Sequence, residues 1–115
     1  MDPESIRQQL EWLRARREVT EELGVPALQR LVGVAQKGSG QSRTVRQFLL
    51  GLYNGPQWPM DLTALRGLDP DLQQDVVRVL LMDMAGPRLE VHEHIAQGEQ
   101  VFRALWEREV RARGE

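Results

Sequence analysis

The sequence predicts an all-α domain, a compact bundle of five to six helices. Three observations carry this. Apolar residues recur at helical spacing through most of the chain, as in Val45, Phe48, Leu49, Leu52 and Tyr53. Glycine and proline punctuate the sequence at about the intervals that short helices require. No pair of segments alternates apolar and polar residues in the way a strand pair would.

A chain of 115 residues fits one domain and can bury a core without disulfide or metal staples. There is no cysteine, which removes disulfides, thiolate zinc sites and thiol catalysis, and suits a reducing, cytoplasmic setting. No apolar run approaches the roughly 18–20 residues of a membrane span. The start, Met-Asp-Pro-Glu, is acidic and unlike a secretory signal.

The first helix is expected over 3–23. Asp2 caps it, Pro3 suits its first turn, and Ile6, Leu10 and Leu13 form one narrow stripe. Trp12, Val19 and Leu23 lie off that line. Arg14, Arg16 and Arg17 are surrounded by glutamates, as on a solvated face. Gly24 is expected to end the helix in a left-handed conformation, so that 1–24 reads as an appended element before a core domain over 25–115. Pro26 then opens a second helix, 26–37, with Leu28, Leu31, Val32 and Ala35 on one face. Lys37 is expected in its last turn, where a cation complements the helix dipole.

Gly38-Ser-Gly40 breaks the chain before a helix over 41–54, whose end at Asn54-Gly55-Pro56 is marked by residues that tolerate left-handed backbone and cannot continue a helix. Gln57-Trp-Pro59 is a stiff loop in which Trp58 either plugs the core edge or stands out as a binding anchor. Asp61 caps a short helix over 62–67, with Leu62 and Leu65 inward. Asp69-Pro70 starts a helix over 70–84, apolar around more than half its circumference through Leu72, Val76, Val77, Val79, Leu80, Leu81 and Met84. It is expected to be the most buried helix, stopped by Ala85-Gly86-Pro87. Residues 89–98 read as a further helix, ended or kinked at Gly98. A last helix runs from Glu99 to about Arg113 with Val101, Phe102, Leu105 and Trp106 on its buried face.

Net charge is −2 but unevenly spread. Residues 24–60 carry Arg30, Lys37, Arg43 and Arg46 and no acid, whereas 61–100 carry eight acids against three arginines. Either the blocks neutralise one another, within the fold or across a homodimer, or they form opposite faces for different partners.

For a ligand site the strongest stretch is Gly38 to Arg46. Free amides at a helix start, with Arg43 and Arg46 one turn apart, suit a phosphate or carboxylate; the alternative is a glycine turn capped by Ser39 or Ser42. The stretch is not a phosphate-binding loop of the GxxxxGK[ST] type. Gln41, Arg43, Arg46 and Trp58 are the candidate binding residues, and Lys37, Arg43 and Arg46 the candidates if the partner is nucleic acid. Glu90, His92, Glu93 and His94 contain metal-ligand types, but residues two apart on a helix point about 200° apart, so the two histidines cannot share an ion. Ser5, Ser39 and Ser42 have no histidine near them in sequence. No catalytic set, metal or cofactor is therefore expected.

Gly40-Gln-Ser-Arg43, Phe48-Leu-Leu50, Tyr53-Asn54, Asp61-Leu-Thr-x-Leu65, Leu68-Asp69 and Asp75-Val-x-x-Val-Leu80 occur in that order. The set resembles a family of small, functionally uncharacterised proteins encoded by bacteriophages, plasmids and integrated mobile elements of proteobacteria. The resemblance spans about residues 27–106 and brings no activity or site residues. It implies a mobile-element setting and accessory or anti-defence roles. The expected function is non-enzymatic binding of a host protein, such as inhibition of a CRISPR-type defence complex. The alternative is a small nucleic-acid-binding regulator, against which the acidic pI of about 5.7 stands.

Overall fold

The computed structural model describes residues 2–86 and 89–114. It is all-α, with four helices: α1 (Pro3–Ala35), α2 (Gly40–Tyr53), α3 (Pro70–Met84) and α4 (Gly98–Ala112). Single 3₁₀ segments at Leu62–Gly67 and Val91–His94 join them, and no strand occurs among the described residues.

The largest departure from expectation is α1, which runs unbroken through Gly24 and Pro26. Asp2 caps it as expected, its Oδ1 accepting from the Ser5 amide at 2.7 Å. Gly24 is not a helix end. It is buried, and a Cβ there would lie 2.7 Å from Met82 Cβ on α3. The missing side chain serves close helix–helix approach rather than a left-handed turn. A proline inside a helix costs about 3 kcal/mol. The burial of Ala27, Leu28, Leu31, Val32 and Ala35 just beyond Pro26 offsets that cost. At roughly 1.5 Å per residue α1 is about 50 Å long, which accounts for a molecule measuring 57 × 27 × 24 Å.

Two helical glycines separate these explanations. Gly33 has no heavy atom within 4 Å of its would-be Cβ. Gly33→Ala is expected to stabilise by about 0.5–1 kcal/mol through backbone entropy. Gly24→Ala is expected to destabilise by about 1–3 kcal/mol as Met82 is displaced. Urea denaturation of the two variants checks the opposite signs.

The core gathers around α2. Val45, Phe48, Leu49 and Leu50 are buried in it, and it touches α1, α4 and both 3₁₀ segments. Ser39 caps it, accepting from the Ser42 amide at 3.1 Å. Its end differs from expectation: Asn54 is not left-handed (φ −153°), and its carbonyl instead accepts from the Trp58 amide at 3.0 Å.

α3 runs antiparallel to α1, as Gly24 against Met82 and Arg30 against Asp75 show. It is not the most buried helix. Val76, Val79 and Met82 face inward, but Val77, Leu81 and Met84 are exposed, because α1 covers one side of α3 and nothing comparable covers the other. Leu62, expected inward, is also exposed, since the segment 62–67 is a 3₁₀ turn that buries only part of its surface. Gly86 follows α3 in the left-handed region at φ +74°; Pro87, the other expected stop, lies outside the described residues.

The expected helix over 89–98 is one 3₁₀ turn, and Gly98 opens α4 instead of closing a helix. Gln97 before it is left-handed (φ 55°), and Gly98 lies against the His92 carbonyl. Phe102 and Leu105 of α4 are buried, with Val101 and Trp106 at the core edge.

Candidate functional site

The Gly38–Arg46 turn leads into a buried charge cluster. Arg46 is 5 % exposed, and its Nε donates to Glu109 Oε1 of α4 at 3.2 Å. One terminal nitrogen of Arg46 donates to the carbonyls of Ala35 at 2.9 Å and Lys37 at 3.4 Å. Glu109 is wholly buried and also accepts from Arg43 Nε at 3.1 Å and Gln47 Nε2 at 3.2 Å. Arg108 donates to the Gln36 carbonyl. Arg46 and Arg108 thus neutralise the carbonyl end of α1, the role the sequence suggested for Lys37. Lys37 lies past the cap of α1 and is exposed.

The other candidates are likewise engaged internally. Gln41 accepts from the Asp69 amide through Oε1 at 2.6 Å and donates to Asp69 Oδ2 at 3.2 Å, pinning the start of α3 to the start of α2. Trp58 is 3 % exposed, edge-on to Trp106 at 5.2 Å between ring centroids, with the Arg113 guanidinium 4.1 Å from its ring centroid. The structure therefore brings Arg43 and Arg46 together on one carboxylate, and places Gln41 and Trp58 at separate junctions. Of the four, only Gln41 and Arg43 keep appreciable exposure.

Sequence reasoning missed Glu109 and Asp75. Asp75 is buried on α3 and accepts from Arg30 in a bidentate pair at 2.9 and 2.8 Å, and from Arg78 at 3.3 Å. In sequence both acids look like ordinary members of solvated helix faces. The one available signal is the positive block over 24–60. Arg30, Arg43 and Arg46 there meet their acids from α3 and α4 within the fold.

A groove of about 670 Å³ between α1 and α3 is lined by Arg30, Lys37, Asp71, Asp75 and Arg78, so its arginines already share a carboxylate. A smaller groove of about 260 Å³ lies between the 62–67 turn and α3. It is apolar, lined by Leu65, Val76, Val77 and Leu80, with Arg66 the one charged residue on its wall.

His92 and His94 are divided between two settings. His92 packs edge-on to Tyr53 at 5.1 Å. His94 is near Asp83, whose carboxyl is pushed above the usual range by burial and by Glu90, against an opposing pull from His94. Glu90 and Glu93 close a reciprocal capping box around the 91–94 turn. Among the described residues no group of three or more His, Asp or Glu is placed to hold a metal ion, and no helix is long and apolar enough to cross a membrane.

Large apolar side chains are exposed on two helices. Ile6, Leu10, Trp12, Leu13, Val19 and Leu23 line the first half of α1, and Val77, Leu81 and Met84 form a stripe at i, i+4 and i+7 on α3.

No curated protein and no solved structure matches the chain. A family model does, over residues 25–109, which begins just past Gly24, ends at Glu109 and leaves out the projecting first half of α1. The chain belongs to that family of unknown function, DUF7673.

Proposed function

We propose that the protein is a non-enzymatic binding protein whose α3 face docks an apolar segment of another protein. The observation that carries this is the exposed stripe Val77, Leu81 and Met84 beside the apolar groove at Leu65 and Leu80, inside the family-matched region. Large apolar side chains left in water at helical spacing are the usual mark of a helix-in-groove contact. Arg66 at the groove wall favours a partner with an acidic residue beside its apolar anchors. The candidate charged residues, by contrast, spend their hydrogen bonds inside the fold, which weighs against Arg43 and Arg46 as nucleic-acid contacts. In the mobile-element setting that the sequence resemblance implies, the partner is a cytoplasmic host protein, and inhibition of a CRISPR-type defence complex is the specific form of this reading.

Photo-crosslinking tests it. A crosslinking residue at position 81 or 84 should capture one and the same host protein, and one at exposed Glu107 of α4 should not. The purified partner should bind the Leu81→Glu variant at least about tenfold more weakly. Unspecific capture at both α3 positions, or unchanged affinity in Leu81→Glu, contradicts the proposal.

A further inference from the structure

The larger groove, between α1 and α3, holds two arginines by one edge only. Its first wall carries Arg30, Gly33 and Lys37 at i, i+3 and i+7, and its second carries Asp71, Asp75 and Arg78 at i, i+4 and i+7. Gly33 keeps the space open, since no heavy atom lies within 4 Å of a Cβ placed there. Asp75 is buried, and its two oxygens accept from Arg30 Nε and Nη2 and from Arg78 Nη1. Arg30 Nη1, and Arg78 Nε and Nη2, donate to nothing among the described residues. Both arginine side chains reach water, at 52 % and 34 % exposure. One carboxylate between two guanidinium groups leaves one positive charge over. In the antiparallel register that sets Arg30 against Asp75, Lys37 lies toward the Asp71 end, where those two charges offset. The surplus therefore stays at the arginine pair.

We infer that this groove binds a phosphorylated small molecule, its phosphate group held by the free edges of Arg30 and Arg78. Asp75 is the positioning residue. It fixes both guanidinium forks before the ligand arrives, so less side-chain freedom is lost on binding. Two forks reaching from different helices suit a tetrahedral group with three oxygens, whereas one fork satisfies a planar carboxylate. A volume of about 670 Å³ is that of a small-molecule site and exceeds what a bare phosphate fills. The organic body lies along Gly33 and the half-buried Val34 and Leu72. The groove shares no residue with the Val77, Leu81 and Met84 stripe, so this site does not depend on the docking face.

Calorimetric titration and amide-shift mapping of the full chain, at constant ionic strength, test this with inorganic phosphate and phenyl phosphate as probes. Phosphate is expected to saturate with a Kd of about 1 mM, and phenyl phosphate to bind about tenfold more tightly. Both should shift amides around Arg30, Gly33 and Arg78. Arg78→Gln leaves the Arg30–Asp75 pair in place, so the variant should fold, and it should weaken phosphate at least about fivefold. Arg78→Lys should weaken it as much, because a charge without the fork does not replace the arginine. Lys37→Gln removes the same charge from the far end and should change affinity by less than about twofold. Gly33→Leu fills the space and should abolish the advantage of phenyl phosphate over inorganic phosphate. No saturation by about 20 mM phosphate, or unchanged affinity in folded Arg78→Gln, overturns the inference. So do shifts spread evenly over the exposed arginines, which mark an adventitious ion only. Benzoate or a single-stranded oligonucleotide binding here more tightly than phenyl phosphate would overturn the ligand class.

Discussion

Glu109→Ala is expected to lower the free energy of unfolding by about 3–5 kcal/mol, the cost of leaving a buried counter-charge without its partner. Arg46 is held at 5 % exposure between Glu109 and the carbonyl end of α1, so it has no route to water when the carboxylate is removed. Arg43 shares the same carboxylate, but its side chain is 46 % exposed. Arg43→Ala should therefore cost only about 1 kcal/mol. The ratio of these two losses, read by urea denaturation, reports which arginine depends on burial. Replacing exposed Glu107, two residues earlier on α4, should change stability by less than about 0.5 kcal/mol.

Gly98→Ala is expected to cost about 3 kcal/mol or more. A Cβ there falls on the His92 carbonyl, 2.7 Å from its carbon, and both sides of the clash are backbone. Neither can yield by a rotamer change, which puts the site at or above the upper end of ordinary overpacking losses. The strain would spread to the Tyr53–His92–Phe102 ring cluster on one side and to the start of α4 on the other. A lowered midpoint with loss of near-ultraviolet aromatic dichroism is the expected signature. A wild-type midpoint would show that the 91–98 turn can move away.

The helices most legible in the sequence are those whose local signals agree with their tertiary role. α2 has a serine cap, a full apolar stripe and an Asn-Gly-Pro end, and its limits fall within a residue of expectation. α4 is similar. Gly24 and Pro26 misled because two local stop signals fell where a long-range contact needs a small residue: Met82, the reason for Gly24, lies 58 positions away. α3 misled for the complementary reason. Its composition shows a wide apolar surface, but composition carries no record of how many neighbours will arrive, and α1 covers only one side. The buried acids were the least visible. Glu109 sits among arginines in a helix whose last turn favours cations, so nothing local marks it off from a solvated i, i+4 pair.

These positions change the meaning of the Gln-Ser-Arg turn. Gln41 fastens α3, Ser39 caps α2, and Arg46 closes the carbonyl end of α1 while pairing with α4. One short stretch thereby joins all four helices.

The measurement that bears most directly on this account is a double-mutant cycle in urea over Arg46→Ala and Glu109→Ala. If the pair is internal to the fold, each single change is strongly destabilising and the double change costs about 1–3 kcal/mol less than their sum. Single variants of near wild-type stability with no coupling between them would contradict it, and would return Arg46 to the surface as a ligand-binding residue.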